Sequence, residues 1–259
     1  LRGQNSIDDA AFVKNFAEER GIKFIGGSGD VKAFAADKKI SVETAARILR
    51  YEFLSSFNFD AKTLAHHADD QAETILMRLL RGATSAGLSA MKFRILSKDY
   101  GLLIRPLLRF RKVELENFCR EKNLSPRLDS TNLETDATRN KIRLELIPTL
   151  EKFNPALVET LCRLAQVTAE ESDFISAQAE KIFPVVVRDN SIVRAEFLKL
   201  HPALQRAVIK KFIGQIKDFG FVHFEGVRKV LVNNLSGVEL PKNLRADLKK
   251  GRLYIKRKG

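Results

Sequence analysis

A chain of 259 residues with 44% hydrophobic and 30% charged side chains has room for one large domain or two ordinary ones and the balance of a globular protein. Nothing in it predicts a signal peptide or a membrane span: the best apolar run, Gly101 to Leu108, is short and broken by Arg105, where a bilayer needs roughly 20 apolar residues. The formal net charge of +13 and pI of about 9.8 favour a polyanionic partner, because each phosphate contacted releases counterions.

Asp8 to Arg20 predicts a helix with Ala11, Phe12, Phe16 and Ala17 on one face, ended by Gly21. Ile22 to Ile25 then reads as a short strand. The glycine-rich stretch Gly26 to Asp30 matches neither phosphate-loop spacing, GxxxxGK(S/T) or GxGxxG, and Asp30 is better placed to cap a short helix through Val31 to Ala35. Ser41 to Ser55 predicts an amphipathic helix with Ser41 as its cap and Glu43 in its first turn. Thr63 to Ala65 reads as a short buried strand, Asp70 to Arg81 as a helix closed by Gly82, Leu102 to Leu108 as a further strand and Lys112 to Lys122 as a helix. Strands alternating with helices at this spacing predict a parallel α/β sheet, whose ligands bind at the carboxyl ends of its strands.

The second half changes character. Ser125 to Thr138 is polar and loop-like, and helices are expected over Arg139 to Phe153, Pro155 to Phe183, Pro202 to Lys217 and Phe224 to Val232. The last 25 or so residues read as short strands with turns at Gly237 and Gly251. A boundary is expected near Pro148 to Asn154. Cys119 and Cys162 stand far apart on apolar-periodic helices, which predicts buried free thiols rather than a zinc site.

Three segments carry candidate chemistry. In LAHHADDQAETILMRLLRG (Leu64 to Gly82) a strand delivers His66, His67, Asp69 and Asp70 to its carboxyl end, where a helix starts. Asp70 and Glu73 lie three apart on one face of its first turn and can hold a cationic amine, with His66 placed to take its proton. The same spacing also suits a plain capping box, with Asp70 as N-cap and Glu73 at N3. In SVETAARILRY (Ser41 to Tyr51), Arg47 and Arg50 can clamp a phosphate or simply face solvent. In DSTNLETDATRNKIR (Asp129 to Arg143), a polar turn precedes Arg139, Asn140 and Arg143 at a helix start. Cations there oppose the helix dipole and hint at an anion. From Pro241 to Gly259, eight cations face the single acid Asp247; this run is either a solvated tail or a polyanion contact.

Together these segments resemble the tRNA(Ile)-lysidine synthetase family. The likeness runs in order through LRG (Leu1 to Gly3), DVKAFA (Asp30 to Ala35), SVETAARILRY, LAHHADDQAETILMRLLRG, GLSAM (Gly87 to Met91), LIRPLL (Leu103 to Leu108), DSTN and TRNKIRLELIPTL (Thr138 to Leu150). It is dense to about Pro155 and looser beyond. The resemblance implies an α/β fold. A parallel-sheet, adenine-nucleotide alpha-hydrolase-like PP-loop domain would span residues 1–150, followed over 151–259 by a mostly helical tRNA-binding domain with short C-terminal strands. It implies a cytoplasmic ligase. ATP, with Mg2+, would adenylate the C2 oxygen of the wobble cytidine of a CAU-anticodon tRNA(Ile). The side-chain amine of free L-lysine would then attack C2 and expel AMP. His66 and Asp70 would be catalytic, Asp70 and Glu73 would recognise the lysine, and Arg47 and Arg139 would contact ATP or the adenylate. Lys249, Lys250, Arg252, Lys256, Arg257 and Lys258 are expected to contact the tRNA. The oligomeric state is left open, a homodimer included.

The family carries an SGGxDS phosphate loop that this sequence lacks; the likeness begins at LRG, which in the family follows that loop, and the chain opens on Leu1 rather than methionine. The expectation is a longer, active gene product, and a polypeptide starting at Leu1 that lacks the first strand, exposes a sheet edge and is inactive. Two alternatives remain: a non-catalytic tRNA-binding remnant, and a sulfur-inserting relative, against which the two isolated cysteines argue.

Overall fold

The computed structural model describes residues 4–97, 100–127, 137–214 and 219–257. The chain divides into two compact units, Leu1–Met77 with Met91–Cys162 and Arg78–Ala90 with Arg163–Gly259. No described helix is long and apolar enough to cross a membrane.

The first unit begins with α1 (Gln4–Glu18), α2 (Val31–Lys38) and α3 (Val42–Ser55). Both expected caps form: Asp30 accepts from the Ala33 amide at 3.0 Å and Ser41 from the Thr44 amide at 3.2 Å. Residues 22–25 are not a strand. Ile22 is 59% exposed, and no described strand lies alongside to complete its ladder. A short apolar run cannot form a strand by itself.

A three-stranded sheet in the order β1-β3-β2 carries the site. β1 (Lys62–Thr63) runs parallel to β3 (Gly101–Ile104), pairing Lys62 with Leu103 and Thr63 with Ile104. β2 (Arg94–Ser97), which has no strong periodicity in sequence, runs antiparallel to β3, so the sheet is mixed rather than purely parallel. The run expected to continue to Leu108 turns away after Ile104, because Pro106 has no amide to donate to a ladder.

α4 starts at Ala68 and runs to Leu80, and the single-turn α5 (Ser85–Leu88) comes next in the chain. The α4 stripe of Ala68, Ala72, Leu76 and Met77 packs on Ile142, Ile147 and Val158 to form the core of this unit. α6 (Lys112–Glu121) follows the sheet. The helix expected from Arg139 to Phe153 is three pieces: α7 (Ala137–Lys141), a π-helical turn (Ile142–Leu146) and α8 (Ile147–Glu151). Pro148 supplies the cause, since its ring crowds the carbonyl four residues back and a wider turn relieves the clash. α9 (Leu157–Val186) then starts, and Cys162 on it is half-buried and reaches the Ala68 carbonyl at 3.7 Å. Burial pushes that thiol up to about 11, so it is a packing group rather than a nucleophile. Cys119 on α6 is also half-buried and free.

In the second unit the hairpin β4 (Val187–Arg188) and β5 (Ser191–Val193) turns at Asp189 and Asn190, both with positive φ. α10 (Arg194–Leu198), α11 (Pro202–Ile213) and α12 (Phe221–Asn233) follow, then β6 (Gly237–Leu240), β7 (Leu244–Lys249) and β8 (Arg252–Arg257). The sheet order is β4-β5-β8-β7-β6. Phe197, Val208, Ile209, Val227, Val230, Leu231, Ala246 and Leu253 form its core. The turn expected at Gly251 is present, with φ +72. Gly237 instead opens β6. A Cβ there would lie 2.4 Å from the Ala246 carbonyl oxygen, so glycine allows the two strands to meet. The intervening turn falls at Lys242 and Asn243, both at positive φ.

Candidate functional site

Past β1 the chain carries His66 and His67 to the start of α4. Because the helix begins at Ala68, Asp70 is its third residue rather than its cap, and its Oδ2 accepts from the His67 amide at 2.9 Å. Half of the expected capping box therefore forms, shifted by three residues. Glu73 lies one turn further on and takes no part in capping.

Glu73 is 1% exposed, and a buried carboxylate needs cations. Arg143, on the π-helical turn, supplies a bidentate pair: Nε donates to Oε1 at 2.6 Å and Nη2 to Oε2 at 3.1 Å. Arg139 on α7 approaches Oε2 at 3.5 Å, and Arg143 Nη2 also stands 3.8 Å from Asp70 Oδ1. The cations that open this helix thus answer carboxylates on α4, which resolves the conflict with the helix dipole seen in the sequence.

Behind this pair lies a second charge centre. Asp69 accepts from Arg111 Nε at 3.1 Å and from the Lys112 amide at 2.7 Å, so it caps α6 from another element. Arg111 also donates to Glu151 and Glu159, each at 3.1 Å. One guanidinium so ties the start of α4 to α6, α8 and α9. Burial alone would raise the Asp69 carboxyl; His67, the Lys112 amide and Arg111 outweigh it and hold the group well below the usual carboxylate range.

The two imidazoles are tuned oppositely. Burial lowers the pKa of His66; Asp70 works against this, while the Arg105, Arg47 and Arg139 guanidiniums reinforce it. Its Nδ1 is buried without a hydrogen-bond partner among the described residues. Burial would lower His67 too, but the Asp69 and Asp70 carboxylates, 3.6 and 3.4 Å away, raise it overall. At 3.6 Å the Asp69 contact is an ion pair rather than a well-formed hydrogen bond.

Of the residues singled out in sequence, His66, Asp70, Glu73 and Arg139 come together here, and Arg47 is near enough to act on His66 electrostatically while its guanidinium lies 5.5 Å from the Tyr51 ring. Arg47 and Arg50 are exposed on α3. The turn Asp129 to Asn132 lies outside the described residues. Sequence reasoning gave no role to Arg111 or Arg105. Arg105 did carry a signal, a cation inside an apolar run; it is 5% exposed and donates to the Lys92 carbonyl at 2.8 Å.

The basic segment of the second unit is a folded hairpin. Arg245 pairs with Lys256 and Lys249 with Arg252 across β7 and β8, so these four cations share one sheet face, opposite Ala246 and Leu253. Lys249, Lys250, Lys256 and Arg257 are exposed, whereas Arg252 is engaged by Asp189 at 2.8 Å. Lys258 lies outside the described residues.

Residues 1–150 match the PP-loop domain family. Among curated proteins, the chain is 38% identical to the tRNA(Ile)-lysidine synthase of Clostridium perfringens, over 84% of this chain and 47% of the relative. It is 35% identical to that of Dehalococcoides mccartyi, over 88% and 52%. To the Caldanaerobacter subterraneus enzyme it is 32% identical, over 100% and 57%. The chain thus spans about half the length of the curated relatives it matches. Among solved structures, the U34-tRNA thiolase NcsA from Methanococcus maripaludis, with its [4Fe-4S] cluster, aligns with a TM-score of 0.53 at 16% identity, covering 65% of this chain and 59% of that one. That likeness concerns the fold alone.

Proposed function

This chain belongs to the PP-loop domain family, and on that premise we propose that it is the part of a tRNA(Ile)-lysidine synthetase that holds the substrate lysine beside an adenylated cytidine. The observation that carries this reading is the juxtaposition at the start of α4: two carboxylates, an imidazole biased toward its neutral form whose Nδ1 has no partner among the described residues, and guanidiniums around them. The tRNA(Ile)-lysidine synthases among its relatives support the substrate class.

The reaction has two needs. Cytidine C2 is a poor electrophile until its oxygen becomes a leaving group, so ATP transfers AMP to that oxygen and releases pyrophosphate. Lysine is inert while its amine, with a pKa of about 10.4, is protonated. Asp70 draws the ammonium in and Glu73 shapes the charge around it. A neutral His66 takes a proton as the amine attacks C2, and AMP leaves. Arg47 and Arg139 neutralise phosphate charge. The site's carboxylates are already engaged by guanidiniums and imidazole, so Mg2+ in this reading rides on the ATP phosphates. The exposed cations of β7 and β8 contact the tRNA backbone, and residues 1–150 and 151–259 divide the catalytic and tRNA-binding work. A cytoplasmic setting goes with such a substrate.

The test is modification of a CAU-anticodon tRNA(Ile) by the whole gene product. Incorporation of labelled lysine at the wobble cytidine, dependent on ATP, is expected. Binding of the tRNA with no incorporation under any condition would leave the remnant reading standing instead.

A further inference from the structure

Arg143 occupies the two carboxylates that the lysine reading requires. Its guanidinium is bidentate on Glu73, at 2.6 and 3.1 Å, and 3.8 Å from Asp70. Arg139 adds a second guanidinium at 3.5 Å from Glu73. Two cations thus already balance two carboxylates in a place where Glu73 is 1% exposed. Beside these two carboxylates, an added ammonium would be a third cation among the described residues, in surroundings that screen poorly. Nor does Glu73 have solvent-facing surface from which to receive it.

We infer that Arg143 is an internal stand-in for the substrate ammonium: it holds Glu73 and Asp70 while the site is empty and must release them before a lysine side chain can enter. This deepens the proposed function and rests on it. Arg143 has the means to move. Its side chain is 32% exposed, so the guanidinium has an outlet, and it stands on a π-helical turn, a feature frequent at functional sites. Arg143 and Arg139 also lie one turn apart on neighbouring helical segments, so both can swing toward the same anion. The phosphates of a bound nucleotide or adenylate supply that anion and match a guanidinium fork. Nucleotide binding then frees the carboxylates, and lysine enters second. The order suits the chemistry, because an amine admitted before adenylation has no electrophile to attack. Arg143 is in this sense a positioning residue that couples the two substrates.

Lysine binding by the whole gene product, measured by calorimetry with and without a non-hydrolysable ATP analogue, tests this. In the unaltered protein the analogue is expected to tighten lysine binding about tenfold or more. Arg143→Met should bind lysine tightly without nucleotide and lose that synergy, whereas Arg143→Lys, which keeps a cation, should retain part of it. Equal lysine affinity with and without the analogue in the unaltered protein would overturn the inference whether or not the variants fold, and would leave the proposed function intact. Absence of lysine binding in every arm would sink the proposed function, and this inference with it.

Discussion

The start of α4 and the core of the second unit both bury side chains almost completely, yet by opposite means. Glu73 is 1% exposed and held by named charges; Phe197 is 0% exposed and held by shape, among Val208, Ile209, Val230 and Leu253. Apolar packing accepts any neighbour of suitable volume. Ion pairing accepts only the right partner, and it fails when that partner is removed. Where a chain buries charge next to the end of a strand, it gives up tolerance for a defined arrangement of groups, as expected of a site rather than of a scaffold.

The largest expected effects probe this contrast. Phe197→Ala should cost about 3–5 kcal/mol in denaturant unfolding, and Phe197→Leu far less. Glu73→Ala should cost less, roughly 1–3 kcal/mol, because the guanidinium it leaves behind is 32% exposed and can turn to water. Here, however, a volume-matched Glu73→Gln should not restore the loss. Full rescue by glutamine would mean that the pair contributes shape and not charge.

An intermediate effect concerns protons. NMR titration should place the His66 midpoint below 6.5 and that of His67 above it. His67, raised on folding, contributes stability that is complete below about pH 6.5 and is lost as pH rises through its folded value. His66, lowered on folding, does the reverse: its contribution is complete above about pH 6.5 and is lost as pH falls through its folded value. Asp69, depressed on folding, contributes above its unfolded value of about 3.9, and this is lost in stronger acid. Asp69→Asn should therefore flatten the acid limb of stability and draw the His67 midpoint down. Two coincident histidine midpoints would contradict the arrangement.

The smallest effect on stability belongs to the basic hairpin. Replacing Lys249, Lys256 and Arg257 together with glutamine should change stability by no more than roughly 0.5 kcal/mol per site. The salt dependence of tRNA binding should nevertheless become shallower, by roughly 0.7–0.9 in log–log slope for each phosphate no longer neutralised. An unchanged slope would mean that the hairpin cations are only solvated.

The sequence made some of this legible and hid the rest for physical reasons. α2 and α3 announce themselves through the caps Asp30 and Ser41, and α4 through a periodic stripe of Ile75, Leu76, Leu79 and Leu80, of which Ile75 and Leu76 are buried while Leu79 and Leu80, in the last turn, are exposed. The short strands are less readable, because β1, β2, β4 and β5 have two to four residues and owe their form to distant partners. Residues 22–25 show the converse: β-prone side chains with no strand beside them among the described residues stay irregular. In the site, the HHADD run is conspicuous because polar groups crowd a strand end. Arg143 is conspicuous too, as a cation at a helix start, but the pairings are not, since Arg111 meets Asp69 across 42 residues and Arg143 meets Glu73 across 70. Periodicity reports which face a residue takes, but not which charge it will meet there.

The most direct test of the lysine pocket is Asp70→Asn in the whole gene product, with the lysine and ATP requirements of ligation measured separately. A large rise in KM for lysine beside a nearly unchanged KM for ATP is the expected result. Equal rises in both would contradict the assignment of Asp70 to the lysine ammonium.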